Sequence, residues 1–599
     1  MRAARPPDRG LRGENLNGRK RGKTMTGSSN SAQQGRTMRL LHGLSLAGLV
    51  IGTLFFTASL APSLLPRGFA LQGVLSGCSF AAGYGVGVFL TWLWRYLELP
   101  VVPEPRLSAM KSLGLAACAL AAAFSLWRAS NFQDSVRVLM ELPPVESGRP
   151  VEVAIIAVLV FAAILIVARI FAAILVAVAG WLGRLVPRRV ANVAGAAIVI
   201  LVFWTAIDGL LFKSTLRIAD ASFQRFDALI EPDVEKPEEA HRTGSLASLV
   251  AWQSLGRAGR QFVAATPAAQ DIAALADGED PGQALGSAPG PAMEPVRVYV
   301  GLNSAETVDE RARLALAEML RVGAFDRSVL VLVTPTGTGW IDPSAIEPLE
   351  ALHRGDVATV ALQYSYLTSW LSLLFEPAYG SESARALFRV VYDHWTTLPE
   401  EERPRLYLYG LSLGALNSDL SADLYDVLGD PFHGALWVAP PFSAPTWRNA
   451  TAGRQPDTPA WLPRFRDGSV IRFANQHGLV DRDSAWGPLR IVFLQYASDP
   501  VTFFRPDAFY RIPPWMDRQR GPDVSGALRW FPIVTLLQLG LDMALATTTP
   551  MGFGHVYAPE HHVDPWVEVT RPAGWSEAGL ARLKAHFAAA RQEASPSAK

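Results

Sequence analysis

Cysteine is nearly absent from this chain: two residues, Cys78 and Cys118, occur in 599, and both lie inside apolar runs. Neither a disulfide framework nor a cysteine metal site can organise it. An excess of one charge is lacking as well, since 55 Lys and Arg face 54 Asp and Glu for a formal net charge of +1. That balance removes the electrostatic argument for nucleic acid as a partner. Charged residues are scarce altogether, at 18% against 50% hydrophobic, which points to membrane segments. What charge exists is unevenly spread. The first 39 residues carry ten Arg and Lys against Asp8 and Glu14, among Gly, Pro, Ser and Asn. Such a stretch buries too little apolar area to fold, so residues 1–39 read as a disordered basic tail. Met25 and Met38 leave a later translation start open.

Long apolar runs follow, at about 40–62, 70–94, 107–127, 153–183 and 190–212. Most approach the ~20 residues that cross a bilayer. The first resembles a signal peptide in position, but no clear small-residue cleavage site follows it and more apolar runs do, so it is expected to be a retained span. Residues 40–212 thus form an expected transmembrane domain of about five spans. The fourth run is long for one crossing and holds Arg169, so it reads as a tilted helix or as a span with a surface continuation. Arg169 and Asp208 raise a transport or relay reading. Snorkelling and an interfacial position are the preferred explanation, because no array of charges accompanies them. With the tail in the cytoplasm, five crossings put Arg95, Arg106, Lys111, Arg184, Arg188 and Arg189 on the tail's side. The positive-inside rule favours that arrangement, and an odd number of spans places everything after Lys213 outside the cytoplasm. Two crossings within the fourth run would reverse it.

Residues 213–277 read as a helical connector with a charged interruption from Glu231 to His241. The Gly-, Pro- and Ala-rich residues 278–295 read as a linker and the best domain boundary. Beyond it, short apolar runs alternate with amphipathic segments. Val296–Val300, Val329–Val333, Val357–Leu362, Leu406–Tyr409, Gly434–Val438 and Leu489–Tyr496 are expected strands. Thr307-Val308-Asp309-Glu310 has the form of a capping box before a helix reaching about Val322. Further helices are expected from about Glu382 to Trp395 and from Ser576 to about Gln592. Fully apolar strands alternating with helices predict a mostly parallel sheet covered on both faces.

One strand runs into Gly410-Leu411-Ser412-Leu413-Gly414 and then into helix, which is the pattern of a nucleophile elbow. By composition alone such a string arises in roughly one chain in five of this length, so its context has to carry the argument. Gly43-Leu44-Ser45-Leu46-Ala47, a near miss inside an apolar run, has no such context.

With the elbow, an acid and a histidine placed after it in chain order, and a glycine-bearing turn ahead of it, residues 296–592 resemble the α/β-hydrolase fold. The whole chain resembles a bacterial family in which a multi-span N-terminal membrane domain precedes such a catalytic domain. The resemblance implies a serine hydrolase in the inner membrane and assigns no substrate.

Ser412 is the expected nucleophile, and a serine hydroxyl needs a base to take its proton during attack. Met551-Gly552-Phe553-Gly554-His555-Val556-Tyr557 supplies the preferred base, His555, in a loop that two glycines free to fold over the sheet. His561 and His562 compete, although beside Asp564-Pro565 they read as a solvated turn before the last helix. His433 and His477 precede the acid and so stand in the wrong order. Asp499, in the loop after Leu489–Tyr496, is the expected acid, better placed than Asp483 or Asp507. The oxyanion hole is expected from the backbone N–H of Leu413 and of Thr338, the latter in Thr336-Gly337-Thr338-Gly339. This turn lacks the G-K-[ST] ending of a nucleotide loop. Pro440–Trp486 falls where a cap would lie, and Trp530–Ala546 reads as a lid, a membrane-dipping helix or a helix packed on the sheet.

The expected function is a membrane-anchored serine hydrolase cleaving carboxylic esters of lipid or acylated envelope material, with no metal or cofactor. Its partners are then the bilayer and an ester or acylated substrate; protein partners are left unassigned. An acyltransferase with the same triad, or a transport or scaffold protein carrying a hydrolase-like domain, are the alternatives.

Overall fold

The structure is a computed structural model that describes residues 44–100, 104–145, 147–205, 227–276, 291–367, 369, 372, 378–480, 483–517 and 519–594. The expected basic tail, Asp208 and residues 278–290 of the expected linker lie outside the described residues.

Five apolar helices open the described chain: α1 (Leu46–Ser59), α2 (Phe69–Tyr96), α3 (Glu104–Arg137), α4 (Pro150–Leu182) and α5 (Arg188–Thr205). Three stretches, Phe69–Tyr96, Ala109–Met140 and Pro150–Leu182, are helical, long and apolar enough to cross a membrane; α1 and residues 189–205 are apolar but shorter. The fourth apolar run is one continuous helix, with Arg169 exposed along it. Small residues set the packing. A side chain at Gly83 would meet the Ile51 carbonyl at 2.7 Å, and one at Gly87 the Ala47 backbone at 2.5 Å, so α1 and α2 run antiparallel with backbones nearly touching. Gly73 approaches Val153 and Gly77 approaches Ala157, which makes α2 and α4 parallel. Glycines four apart that admit a neighbouring backbone are the usual device where apolar helices meet without water to drive them together. Ser45, the serine of the near-miss string, accepts from Gly48 N–H as the N-cap of α1.

Residues 229–251 run as turns, so the expected helical connector is helical only at α6 (Gly256–Ala264), α7 (Ala269–Ala276) and one short 3-10 turn, apart from a first turn at 227–228, among its described residues. Pro232, Pro237 and the run of carboxylates there oppose helix. The connector also packs on the sheet-containing half of the chain rather than spacing it from the apolar helices. Trp252, Leu255, Phe262 and Val263 join the same hydrophobic core as the strands.

The sheet contains β1 (Val296–Val300), β2 (Val329–Thr334), β3 (Val357–Leu362), β4 (Arg405–Leu411), β5 (Gly434–Val438), β6 (Ile471–Asn475), β7 (Gly478–Leu479) and β8 (Arg490–Leu494). Their spatial order is β1-β3-β2-β4-β5-β8-β6-β7, parallel except where β6 meets β7. Thr307 and Glu310 form the expected capping box at the start of α8 (Val308–Arg321), with bonds of 3.2 and 3.0 Å. Helices α9 (Pro343–Leu352) and α10 (Tyr379–Thr397) continue the alternation. Connections leave β2 toward β3 on one side, whereas β4 leads to β5 on the other. The boundary between β2 and β4 is therefore the switch point, where open parallel sheets leave a crevice at the strand ends.

Two expectations about insertions change. Pro440–Trp486 does not lie as a separate cap, because its Ile471–Asn475 is strand β6 and extends the sheet beside β8. Its tryptophans are structural: Trp447 Nε1–H donates to Gln495 at 2.6 Å, Trp461 to the Gln519 carbonyl at 2.9 Å and Trp486 to Glu568 at 2.7 Å. Within Trp530–Ala546, helix α13 (Val534–Ala544), numbered after α11 (Leu413–Asp419) and α12 (Pro445–Ala452), packs against α1 and α2.

The turn joining α1 to α2 enters this contact. Leu64 and Leu65 are 0% and 1% exposed and belong to the hydrophobic core built around the sheet. Asp542 of α13 accepts from Ser63 Oγ at 2.9 Å and from Leu64 N–H at 3.0 Å, and lies 3.9 Å from Arg67 Nε. Gln538 donates to the Ala61 carbonyl at 3.0 Å. Both members of the Arg67–Asp542 pair have fully buried side chains, so removing one leaves an uncompensated charge. Asp542→Ala is expected to destabilise the full chain by about 3–5 kcal/mol, measured as unfolding in detergent; a change below about 1 kcal/mol would show the contact to be incidental.

Candidate active site

The end of β4 makes two close backbone approaches. A Cβ at Gly410 would stand 2.4 Å from the Gly414 backbone, and one at Gly414 would stand 2.2 Å from the Thr334 carbonyl at the end of β2. Neither neighbour is a side chain that could swing away, so both positions require glycine. Between them Ser412 adopts φ 56°, ψ −121°, a conformation costly for a residue with a Cβ, by about 1–3 kcal/mol. Its N–H is held by the Val438 carbonyl at 2.9 Å, and α11 begins at the next residue. Strand, sharp turn and helix thus present Ser412 at the β2–β4 switch point, 7% exposed.

Asp499 and His555 are brought together. His555 Nδ1 lies 2.8 Å from Asp499 Oδ2 and 3.0 Å from Oδ1. The carboxylate is wholly buried and accepts further bonds from Val501 N–H at 2.8 Å, Thr502 Oγ1 at 3.3 Å and Tyr557 O–H at 3.0 Å. Such a shell of donors holds the side chain in one orientation. The histidine loop is tied down separately. Gly552 N–H bonds the Val556 carbonyl at 2.7 Å, Gly554 N–H bonds Ser498 Oγ at 2.9 Å, and Ser498 Oγ donates to Asp523 at 2.6 Å. Gly552 and Gly554 have φ of 98° and 59°, which suits glycine. Ser412 Oγ has no hydrogen bond among the described residues. Bonds between nucleophile and base commonly tighten only when substrate is present.

The competing histidines stand elsewhere. His561 and His562 do not lie in a solvated turn: they belong to helix α14 (Pro559–Thr570), which precedes α15 (Glu577–Ala594). His561 Nδ1 bonds Tyr496 O–H at 2.6 Å, and His562 Nδ1 bonds the Ala558 carbonyl at 2.9 Å. Burial pushes His561 down to about 3 and His562 to about 4, so both are neutral near pH 7. His433 accepts from Leu406 N–H at 3.1 Å, a packing role, and Asp507 is paired with Arg505.

In the turn after β2, Thr336 N–H bonds the Trp340 carbonyl at 3.0 Å, Gly337 N–H bonds Ser369 Oγ at 3.3 Å and Gly339 N–H bonds the Thr336 carbonyl at 2.9 Å. Thr338 N–H has no acceptor among the described residues, and neither has Leu413 N–H at the start of α11. The Thr338 carbonyl leans toward β3, 3.4 Å from Gln363 Nε2. The Thr334 and Pro335 carbonyls are the part of the turn packed on Gly414.

Three residues about the site were not singled out by sequence. Tyr557 holds both Asp499 and the Tyr496 N–H, at 3.0 Å each, yet a tyrosine two places after a histidine carries no signal of that. Asp523 anchors the loops carrying Asp499 and His555 to each other through Ser498, which bonds Gly554 N–H. Asp342 caps α9, accepting from Ser344 N–H at 2.9 Å, and is nearly buried close enough to His555 to sense its charge.

Residues 296–583 match the family described as "Alpha/beta-hydrolase family", and residues 60–267 match the one described as "Alpha/beta-hydrolase family N-terminus". The chain belongs to this α/β-hydrolase family. It is thus a hydrolase by family, and the N-terminal match shows that the apolar half is part of the family's architecture rather than an appendage. No curated protein matches the chain. A solved structure titled "LipS and LipT, two metagenome-derived lipolytic enzymes increase the diversity of known lipase and esterase families" is similar at 22% identity, with a TM-score of 0.14. The likeness covers 24% of this α/β-hydrolase and about half, 54%, of that chain, too little to bear on function.

Burial raises the Asp342 carboxyl from 3.8 to about 7, with Glu347 adding to the rise and Ser344 and a charged His555 opposing it. The folded protein therefore keeps a proton that the unfolded chain loses, and the group's contribution to stability declines as pH rises from about 4 to about 7. Asn retains an oxygen for the cap. Asp342→Asn is expected to melt with wild type near pH 4 and progressively above it toward pH 7, with no further gain beyond; parallel melting profiles across that range would refute the burial cost.

Proposed function

We propose that this α/β-hydrolase is a membrane-anchored serine hydrolase that cleaves carboxylic esters through an acyl-enzyme. The observation that carries the reading is the buried Asp499–His555 pair in the loops that follow β8 and α13, downstream of a serine held at positive φ. Ser412 Oγ attacks the ester carbonyl as His555 takes its proton; Asp499 fixes the imidazole tautomer and stabilises the imidazolium. Negative charge then grows on the carbonyl oxygen, where the unbonded N–H groups of Leu413 and Thr338 serve as donors. The protonated His555 passes its proton to the leaving alcohol, and water repeats the sequence to release the acid.

Location follows from the helices. α1 to α5 read as five crossings with alternating direction, supported by the antiparallel α1–α2 and parallel α2–α4 contacts and by the unbroken α4. The basic tail then stays in the cytoplasm of a bacterial inner membrane, with the catalytic half outside it, against the bilayer. Lipid or acylated envelope esters are the substrates within reach of that position.

A fluorophosphonate probe should label the purified full chain and not Ser412→Ala. Asp499→Asn should slow labelling by about 10³ to 10⁴-fold, since the wrong tautomer is then favoured. Unreactive wild type, or labelling of Ser412→Ala at the wild-type rate, would overturn the enzyme reading. For orientation, alkaline phosphatase fused after Lys213 should be active; an inactive fusion paired with an active cytoplasmic reporter at the same point would reverse the topology.

A further inference from the structure

Where the apolar helices meet the catalytic half lies a groove of about 610 Å³ that the catalytic machinery does not use. Leu54 and Phe55 of α1, Phe124 of α3 and Phe531, just ahead of α13, give it apolar walls. Two arginines, Arg128 and Arg529, line it as well. Neither is neutralised: Arg128 stands over the Phe124 and Phe132 rings at 6.0 and 5.6 Å, and Arg529 donates to the Gly526 and Leu528 carbonyls at 2.8 and 2.9 Å. Among the described residues no carboxylate pairs with either guanidinium. The walls are open as well, with Leu54 60% and Phe124 55% exposed.

These features restrict the occupant. A ligand that matches the groove needs an apolar chain for the aromatic and leucine wall, together with one compact anion that offers oxygens to two guanidinium forks. Free phosphate would leave the walls wet, and a neutral lipid would leave both arginines unpaired. Arg128 lies four residues beyond Phe124 on α3, toward the end that carries Gln133 and the Arg67-bearing turn, so it sits level with the catalytic half's contact on the helices. In the membrane arrangement proposed above, that is headgroup depth, where arginines meet lipid phosphates.

We propose that this groove binds an anionic phospholipid of the leaflet on which the catalytic half rests, with the phosphate between Arg128 and Arg529 and an acyl chain along Leu54, Phe55 and Phe124. The inference rests on the membrane reading. Its consequence reaches the active site, because Val534 in the groove wall begins α13. That helix holds the turn whose Leu65 lies 3.2 Å from where a side chain on Gly554 would stand, next to His555.

The test uses the full chain in nanodiscs holding equal mole fractions of phosphatidylglycerol and phosphatidylcholine, with lipid retained on ejection counted by native mass spectrometry. Wild type is expected to retain phosphatidylglycerol over phosphatidylcholine by about tenfold, and Arg128→Gln/Arg529→Gln to lose the preference. Both side chains are exposed and have no carboxylate partner among the described residues, so the substitutions cost the fold little. No headgroup preference in wild type, or a preference unchanged in the double variant, would overturn the proposal. Retention needs no catalysis, so it is read equally well in Ser412→Ala. Failure to enter nanodiscs at all would instead remove the membrane reading on which the site depends.

Discussion

The site depends on one close approach, that of the elbow backbone to the end of β2. Gly414 lies so near the Thr334 carbonyl that no Cβ fits between them, and this contact sets the distance from Ser412 to the turn that carries Thr338. It also holds Ser412 in a conformation that an isolated peptide would abandon. The strain is sustained because β4 lies in the middle of the parallel sheet, with β2 on one side and β5 on the other, so the turn cannot relax without breaking a ladder. Asp499 and His555 need no such strain. They arrive on loops, and a dense set of bonds through Tyr557, Thr502, Ser498 and Asp523 does for them what the sheet does for serine.

The second dependence joins the halves of the molecule. The turn between the first two apolar helices is buried in the core of the catalytic half, where Leu64 and Leu65 behave as ordinary core residues. Asp542 binds that turn by hydrogen bonds and charge, and α13, which carries it, lies in the chain between the acid and the base. A segment that merely tethered the hydrolase half would not need to fill its core. The apolar helices therefore contribute to the shape of the loop that carries His555, and the hydrolase half is not a free-standing unit.

Much of the architecture was legible before folding. Val357–Leu362 and Gly434–Val438 are strands with the bounds their apolar runs indicate, because strands buried on both faces carry few polar positions to blur the signal, and Val296–Val300 shows through its alternation although it holds Arg297. β6 was hidden for the opposite reason. Ile471–Asn475 contains Arg472, which is buried only because Glu568 bonds it at 2.9 Å and the Trp486 ring lies under it at 3.8 Å, partners far away in sequence. The helix carrying His561 and His562 was hidden by Pro565, which reads as a turn but sits inside α14, where burial against the sheet outweighs one lost backbone bond.

The sequence alone determined what is local or periodic: the elbow with its two obligatory glycines, the capping box at Thr307, the order of serine, acid and histidine, and the apolar runs. These follow from steric demands and from side-chain periods of neighbours along the chain. Tertiary structure decided which of three histidines meets Asp499, since only the packed loops bring His555 Nδ1 to 2.8 Å while α14 turns the other two to different partners. It also decided that α13 is neither a lid nor a sheet-packed helix but the contact with the apolar half. Pairings of that kind join residues hundreds of positions apart, and no local pattern encodes them.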